Sequence, residues 1–292
     1  MILSIGEILA DMIGTEKDGK STYQAFCGGA PFNLAVNACL AGAKVGFIGR
    51  VGNDPMGRFL QERAAKASLS YLDIQVDEVR NTTLAFVSLK DGERDFAFHR
   101  HDTADYHIQT SKINFCDQNL SIVHLGSLML SEQEGRAVAE EIANRTRSAG
   151  KKLSFDVNFR KDIYRDFQEA VTIYQLFIEK ADIVKFSEEE IMEYTGESDL
   201  ISAMQSVYRK DMLLIVTLGA KGCMYRLNEL QGIIPSEKVK PIDTTGAGDA
   251  FFGTFLACIE NKEWKKDNIE NALSLANKAG ALTTQFLGAI QL

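Results

Sequence analysis

The sequence predicts an α/β fold, a mostly parallel sheet with helices on both faces, accompanied by a small separate β-sheet. Three observations predict it. Short apolar runs recur along the chain, VGFIG (45–49), IVHLG (122–126), LSFDV (153–157), DIVKF (182–186) and LLIVT (213–217), and such runs mark strands buried on both faces. Amphipathic stretches of helical period lie between them, and strand–helix alternation builds a parallel sheet covered on both sides. Two further segments break this rhythm, each placing alternating strands around an Asp-Gly turn.

From the N-terminus, MILSIGEILADMI is a passable strand, and Asp18-Gly19 then reads as a tight turn closing a hairpin over 7–27. Residues 14–21, GTEKDGKS, also match the phosphate-binding pattern G-x-x-x-x-G-K-[ST] letter for letter. That loop works only between a buried strand and a helix, whose N-terminus helps its amides to cradle phosphates. Here Glu7 and Asp11 interrupt the strand, STYQAFCGGAP makes no helical turn, and Glu16 and Asp18 would repel the anion. A hairpin is therefore the expectation. Helical patterns start at Asn33 (NLAVNACLAG) and Met56 (MGRFLQERAAKA), and TTLAFVSLKDGERDFAFHRH (82–101) alternates around Asp91-Gly92 as a second hairpin. Ser131 and Glu134 have capping-box spacing before a helix closing at Gly150, as do Ser187 and Glu190 before EEEIMEYTG. The hairpins, segments about 11–27 and 80–101, are expected to form a lid on a single domain spanning 1–292.

Composition narrows the function. The chain has 292 residues, room for one large core, and a net charge of −8 with no long basic run, which argues against nucleic acid and anionic membranes as partners. No apolar stretch approaches the roughly 20 residues of a membrane span. The N-terminus goes straight into strand-like sequence, with no basic leader. Five scattered cysteines without C-x-x-C spacing suggest neither a disulfide framework nor a zinc site. A cytoplasmic protein is the expectation.

The chemistry concentrates in DTTGAGDAFFGTF (243–255). Gly246, Ala247 and Gly248 lack bulky side chains, so their amides can converge on an anion at the start of the apolar helix that follows. Asp249 there reads either as a cap for that helix or as a general base beside an oxyanion hole. A dinucleotide fingerprint is disfavoured, because Phe251 replaces the third glycine and no suitable acidic strand end follows.

With GGAPFNLAVNACLAGAKVGFIGRVGNDPMG (28–57), this stretch resembles the two signature regions of the ribokinase-like, or PfkB, carbohydrate kinases, in the right order. The resemblance covers essentially the whole chain. GEILADMI, TTLAFVSL, GERDFAFHR, FDVNFR and VTLGAKG look most like fructokinase versions of their segments. It implies a three-layer α/β/α ribokinase-like domain with a β-sheet lid, and an ATP-dependent sugar kinase using magnesium. It implies Asp249 as catalytic base and the amides of Gly246, Ala247 and Gly248 as the anion hole. Asp11, Gly28, Gly29 and Asn33 fall where the family holds sugar hydroxyls, and Arg100 and Arg160 are candidates for substrate or phosphate. Lys185, Ser187, Glu190, Thr217, Gly219, Gly222 and Asn277 fall on the nucleotide side, with Glu190 acting on magnesium through water. A potassium ion beside the anion hole would draw on Asp243 and Thr245 with carbonyls near Thr283 and Gly288. Local readings stand beside these: Gly28-Gly29 as a turn, Asn33 and Ser187 as helix caps, Asp243 as a brace.

The resemblance implies D-fructose as acceptor and D-fructose 6-phosphate as product. His99 and Val157 depart from the fructokinase pattern, which commonly shows Tyr and Pro there. A 2-keto-3-deoxygluconate kinase or another PfkB-family sugar kinase is the alternative, and an inactive sugar-binding regulator the remote one. Unpaired edge strands in the lid predict a homodimer formed through it.

Overall fold

The computed structural model describes the chain apart from residues 18–19, 91–92, 161–162, 165 and 291–292. Nine strands form the main sheet and four the smaller one. In the main sheet the order is β13 (Leu230–Ile234), β12 (Cys223–Leu227), β11 (Leu213–Thr217), β10 (Ile183–Ser187), β9 (Lys152–Asp156), β8 (Ile122–Leu125), β1 (Ile2–Ile5), β4 (Val45–Gly52) and β5 (Tyr71–Asp77). All neighbours from β11 to β5 run parallel, and only the β11–β12–β13 edge is antiparallel. The five apolar runs fall on β4, β8, β9, β10 and β11 as expected. The chain begins in mid-sheet at β1, builds outward to β4 and β5, and returns to β8 on the other side. This reversal opens a crevice at the carboxyl ends of the strands, the usual ligand site of such sheets.

Alternate residues of each strand serve opposite faces. Ile183, Leu213 and Ile215 pack with α1 (Ala30–Leu40), α7 (Ala247–Ile259) and α8 (Lys266–Thr283), among Phe32, Phe252, Phe255 and Leu273. Their neighbours Val184, Leu214 and Val216 face the other layer, among Ile142 of α3 (Gln133–Ser148), Phe177 of α4 (Phe167–Ile178), Ile191 of α5 (Glu188–Thr195) and Ala203 of α6 (Leu200–Val207). Burial on both faces explains why these strands read as unbroken apolar runs.

Local signals account for most boundaries. Asp54 caps α2 (Pro55–Ala64) by accepting from the Gly57 amide at 2.8 Å, and Ser187 and Glu190 complete the capping box of α5, which ends on left-handed Gly196. The Ser131/Glu134 box does not form. The helix starts at Gln133, while the Ser131 hydroxyl donates to the Leu128 carbonyl and accepts from Arg100. Helix α1 also starts earlier than its apolar pattern, at Ala30 behind Gly29, so Asn33 lies inside it and caps nothing.

The smaller sheet has the order β3 (Lys20–Gly28), β2 (Leu9–Lys17), β6 (Leu84–Lys90), β7 (Glu93–His99). Both expected hairpins are present, and β2 and β6 join them in parallel. The Asp-Gly turns at 18–19 and 91–92 lie outside the described residues. Gly14, Lys20 and Ser21 sit in the paired strands β2 and β3, so the phosphate-loop pattern is a chance match.

Candidate active site

A cavity of about 890 Å³ opens between the two sheets. The strand ends of the main sheet supply one wall with Asp156, Lys185, Ser187 and Thr217, and with Glu7 and Ser127 just beyond β1 and β8. The smaller sheet supplies Asp11, Phe26, Cys27, Ala85 and Phe98, and helix α7 closes the far end with Gly246, Gly248 and Asp249.

Gly246 opens α7 at φ 74°, and a Cβ on it would lie 2.4 Å from that of Ala289, so backbone and space both demand glycine. The first intrahelical bond runs from the Ala250 amide to the Gly246 carbonyl at 2.8 Å. The amides of Gly248 and Asp249 precede it, at the positive end of the helix dipole. The expected anion hole needs one correction. Ala247 does not line the cavity, because its amide turns back to the Thr244 carbonyl at 3.3 Å.

Asp249 accepts a 2.8 Å hydrogen bond from Asn33 Nδ2, reaching from α1 to α7. Burial pushes its pKa up to about 6, against that hydrogen bond and the charges of Lys185 and Arg160, which hold it down. A carboxylate so placed is ionised at neutral pH yet basic enough to take a proton. Asp11 stands across the cavity on β2, raised to about 7 by burial and then by Asp249. A Cβ on Gly28 would lie 2.0 Å from Asp11 Oδ2, so Gly28 makes room for that carboxyl and is not itself in the cavity wall. Gly29 is in the wall, at φ 107°, where a Cβ would meet the Glu7 carbonyl at 2.5 Å.

Lys185 bridges both oxygens of Asp156, at 2.8 and 2.9 Å, with both residues buried. They are direct cross-strand partners on β10 and β9. Burial works against the lysine charge, but Asp156 and Glu190 outweigh it and hold its pKa above the ordinary lysine value. Its Nζ lies 3.5 Å from where a Gly248 Cβ would stand, which places a cation beside the start of α7. Burial raises the Glu190 pKa despite Lys185, and its Oε2 accepts from the Ser187 amide at 2.8 Å. Asp243 braces the loop before α7, accepting from Thr245 N at 2.8 Å and Gly288 N at 2.9 Å.

Asp11, Gly29, Asn33, Arg160, Lys185, Ser187, Glu190, Thr217, Asp243, Thr245, Gly246, Gly248, Asp249 and Gly288 thus meet at one cavity. Seven candidates lie off its wall: Gly28 and Ala247, as described, and five more. Arg100 is ion-paired with Asp105 at 2.8 Å, bonded to Ser131 at 2.6 Å and stacked over Tyr106. Asn277 spends its amide on the carbonyls of Ile234 and Pro235, and a Cβ on Gly222 would lie 2.0 Å from that same Ile234 carbonyl. Gly219 belongs to a short turn after β11. Thr283 turns into α8, its hydroxyl donating to Ala279, while the Thr284 carbonyl takes the amides of Ile242 and Asp243. Conversely, Glu7, Asp156, Asn158 and Arg63 line the cavity and were not singled out as site residues. Asp156 carried a faint signal, ending an apolar run in FDVNFR; its pairing with Lys185 needs the strand order. Among the described residues, no group of three or more His, Cys, Asp or Glu could hold a metal ion by itself.

The family described as pfkB family carbohydrate kinase matches residues 1–292. Fructokinase-1 of Oryza sativa subsp. japonica is 35% identical over 307 residues, covering 99% of this chain and 93% of that protein. Among solved structures, a fructokinase from Xylella fastidiosa with bound ATP superposes with a TM-score of 0.88 at 30% identity, covering 99% of this chain and 93% of the other. A Vibrio cholerae O395 fructokinase holding fructose, ADP and a calcium ion does so with a TM-score of 0.88 at 33% identity, covering 99% and 94%.

Proposed function

The chain belongs to the pfkB family of carbohydrate kinases, and on that premise we propose that it transfers the γ-phosphoryl group of ATP to the primary hydroxyl of D-fructose, giving D-fructose 6-phosphate. One observation carries the mechanism: Asp249, held by Asn33, faces the cavity from the first turn of α7. Asp249 takes the proton of the sugar hydroxyl, and the freed oxygen attacks the γ-phosphorus in line. The bond from phosphorus to the bridging oxygen breaks, and ADP leaves with the electron pair. The α7 N-terminus and Lys185 offset the negative charge spread over the transferring oxygens. Asp11 and Asn33 hold sugar hydroxyls, Gly28 and Gly29 keep their approach clear, and Arg160 meets the substrate or its phosphate.

Magnesium fits a site with Glu190 and Asp156 in its wall but no three-ligand cluster among the described residues. It would arrive on ATP and neutralise charge on the phosphates, with Glu190 reaching it through water. Potassium would be held by Asp243 and backbone carbonyls at the loop that Asp243 braces, and would supply fixed positive charge beside the anion hole. Five free cysteines fit a reducing compartment, the cytoplasm, which cell fractionation checks. The smaller sheet acts as a lid and, through exposed edge strand β3, as the homodimer contact.

The test is ATP turnover by wild type and Asp249→Asn with fructose, 2-keto-3-deoxygluconate, ribose and aminoimidazole riboside. Fructose-dependent turnover that falls at least about 100-fold in the variant is the expected result, the loss of a general base. Turnover with the keto acid alone keeps the mechanism and removes fructose. Arg63 and Arg160 in the cavity wall put that acid in the panel. No turnover with any acceptor leaves a sugar-binding protein.

A further inference from the structure

Two buried side-chain oxygens in the cavity wall, Glu7 Oε2 and Asn33 Oδ1, have no hydrogen-bond partner among the described residues. Several other buried side-chain atoms are also unpartnered among the described residues, including Arg50 Nε and Arg209 Nε, but none of their residues lines this cavity. Leaving a buried polar atom unpaired is costly, because its lost hydration is not replaced. Both residues belong to the wall of one cavity, and a wall that holds two such oxygens is complementary to a ligand bearing several hydroxyl groups. Asn33 has another duty, its Nδ2 being given to Asp249. Glu7 has none. It is 3% exposed, stands between β1 and β2 and makes no ion pair among the described residues.

We propose that Glu7 is a further acceptor-binding residue, whose carboxyl group takes a hydroxyl of the sugar at the base of the cavity while Asn33 Oδ1 takes another. This rests on the sugar-kinase reading and names a residue that the reading does not use. The charged groups around Glu7 come from three elements: Asp105 from the turn after β7, Arg100 from the end of that strand, and Asp249 from α7. Burial first, then the charges of Asp105 and Asp249, push the Glu7 pKa up to about 8 against its own backbone amide and Arg100. At neutral pH Glu7 is therefore a neutral acid, able to donate one hydrogen bond and accept others, which suits a hydroxyl. As pH rises through about 8 it becomes an anion facing two other carboxylates, and the donor is lost.

The variants are Glu7→Gln, neutral at every pH and still a donor and acceptor, and Glu7→Leu, of similar bulk without polar atoms. For each, the acceptor KM, the ATP KM, kcat against pH and Tm without ligand are measured, with direct calorimetric titration of fructose. The expected result is a three-part split. Glu7→Leu raises the acceptor KM and Kd at least about tenfold, leaves the ATP KM within about twofold, and does not lower Tm, because an unpaired buried oxygen has been removed. Glu7→Gln keeps the acceptor KM within about threefold of wild type. It also loses any rise in acceptor KM that wild type shows above pH 8. Overturning results are an acceptor KM and Kd for Glu7→Leu within twofold of wild type, or a fall in Tm with both KM values changed, which marks a structural role. If wild type turns over no sugar, the kinase reading fails, and calorimetry still decides for Glu7. If wild type binds no sugar either, both fail.

Discussion

Asn33 shows how one side chain sets the chemistry of another. Its amide donates to Asp249 across the α1–α7 contact, and that bond favours the charged carboxylate. In Asn33→Ala the favourable bond is gone, burial and the Asp156 charge still disfavour ionisation, and the Asp249 pKa rises above about 6. Activity that needs Asp249 ionised is lost as pH falls, so the acid limb of kcat against pH is expected to move upward, by about one to two units for a bond to a charged group worth about 1.5–3 kcal/mol. A pH–rate profile checks it; an unmoved limb with kcat kept and the acceptor KM raised would assign Asn33 to sugar binding alone. Asp249 was legible because a lone acid after Gly246–Gly248 announces itself. The Lys185–Asp156 pair was not, because its members are 29 positions apart and meet only through the β9–β10 register. Arg100 misled for a related reason. A strand-end arginine looks available until Asp105, five residues on, claims it.

At the scale of elements, identical sequence signals had opposite fates according to their surroundings. Ser187 and Glu190 cap α5, while Ser131 with Glu134 does not cap α3, because Arg100 and the Leu128 carbonyl take the Ser131 hydroxyl first. GTEKDGKS became paired strands, and GAGD became the start of α7. A paired substitution makes the contrast measurable. Lys20→Ala is expected to leave kcat, both KM values and stability unchanged, as for an exposed strand lysine, whereas Ser187→Ala is expected to cost about 1 kcal/mol of unfolding free energy. Denaturant titration and ATP turnover read both; a large loss of turnover in Lys20→Ala would restore the phosphate-loop reading. The buried strands were legible by their apolar runs. Edge strand β5 was missed because it is only half-covered, with Tyr71 and Val76 exposed, and its pattern is diluted accordingly. The parallel β2–β6 pairing was equally invisible, since no local sequence signal specifies which hairpin edges meet.

For the whole molecule, the lid predicts assembly. Edge strand β3 is exposed along most of its length and carries Tyr23 at 48% exposure, a surface suited to pairing with a second copy about a two-fold axis. A dimer mass in light scattering at micromolar concentration is expected, and a monodisperse monomer would discard it. The position of β1 has a different consequence, for biosynthesis. Its residues Ile2 to Ile5 are synthesised before either partner, yet they form a central strand whose two neighbours are Val45–Ile48 on one side and Ile122–Leu125 on the other. Until the latter have been made, the growing chain carries an open apolar sheet edge at β1, so this strand waits for a distant partner and depends on being shielded meanwhile.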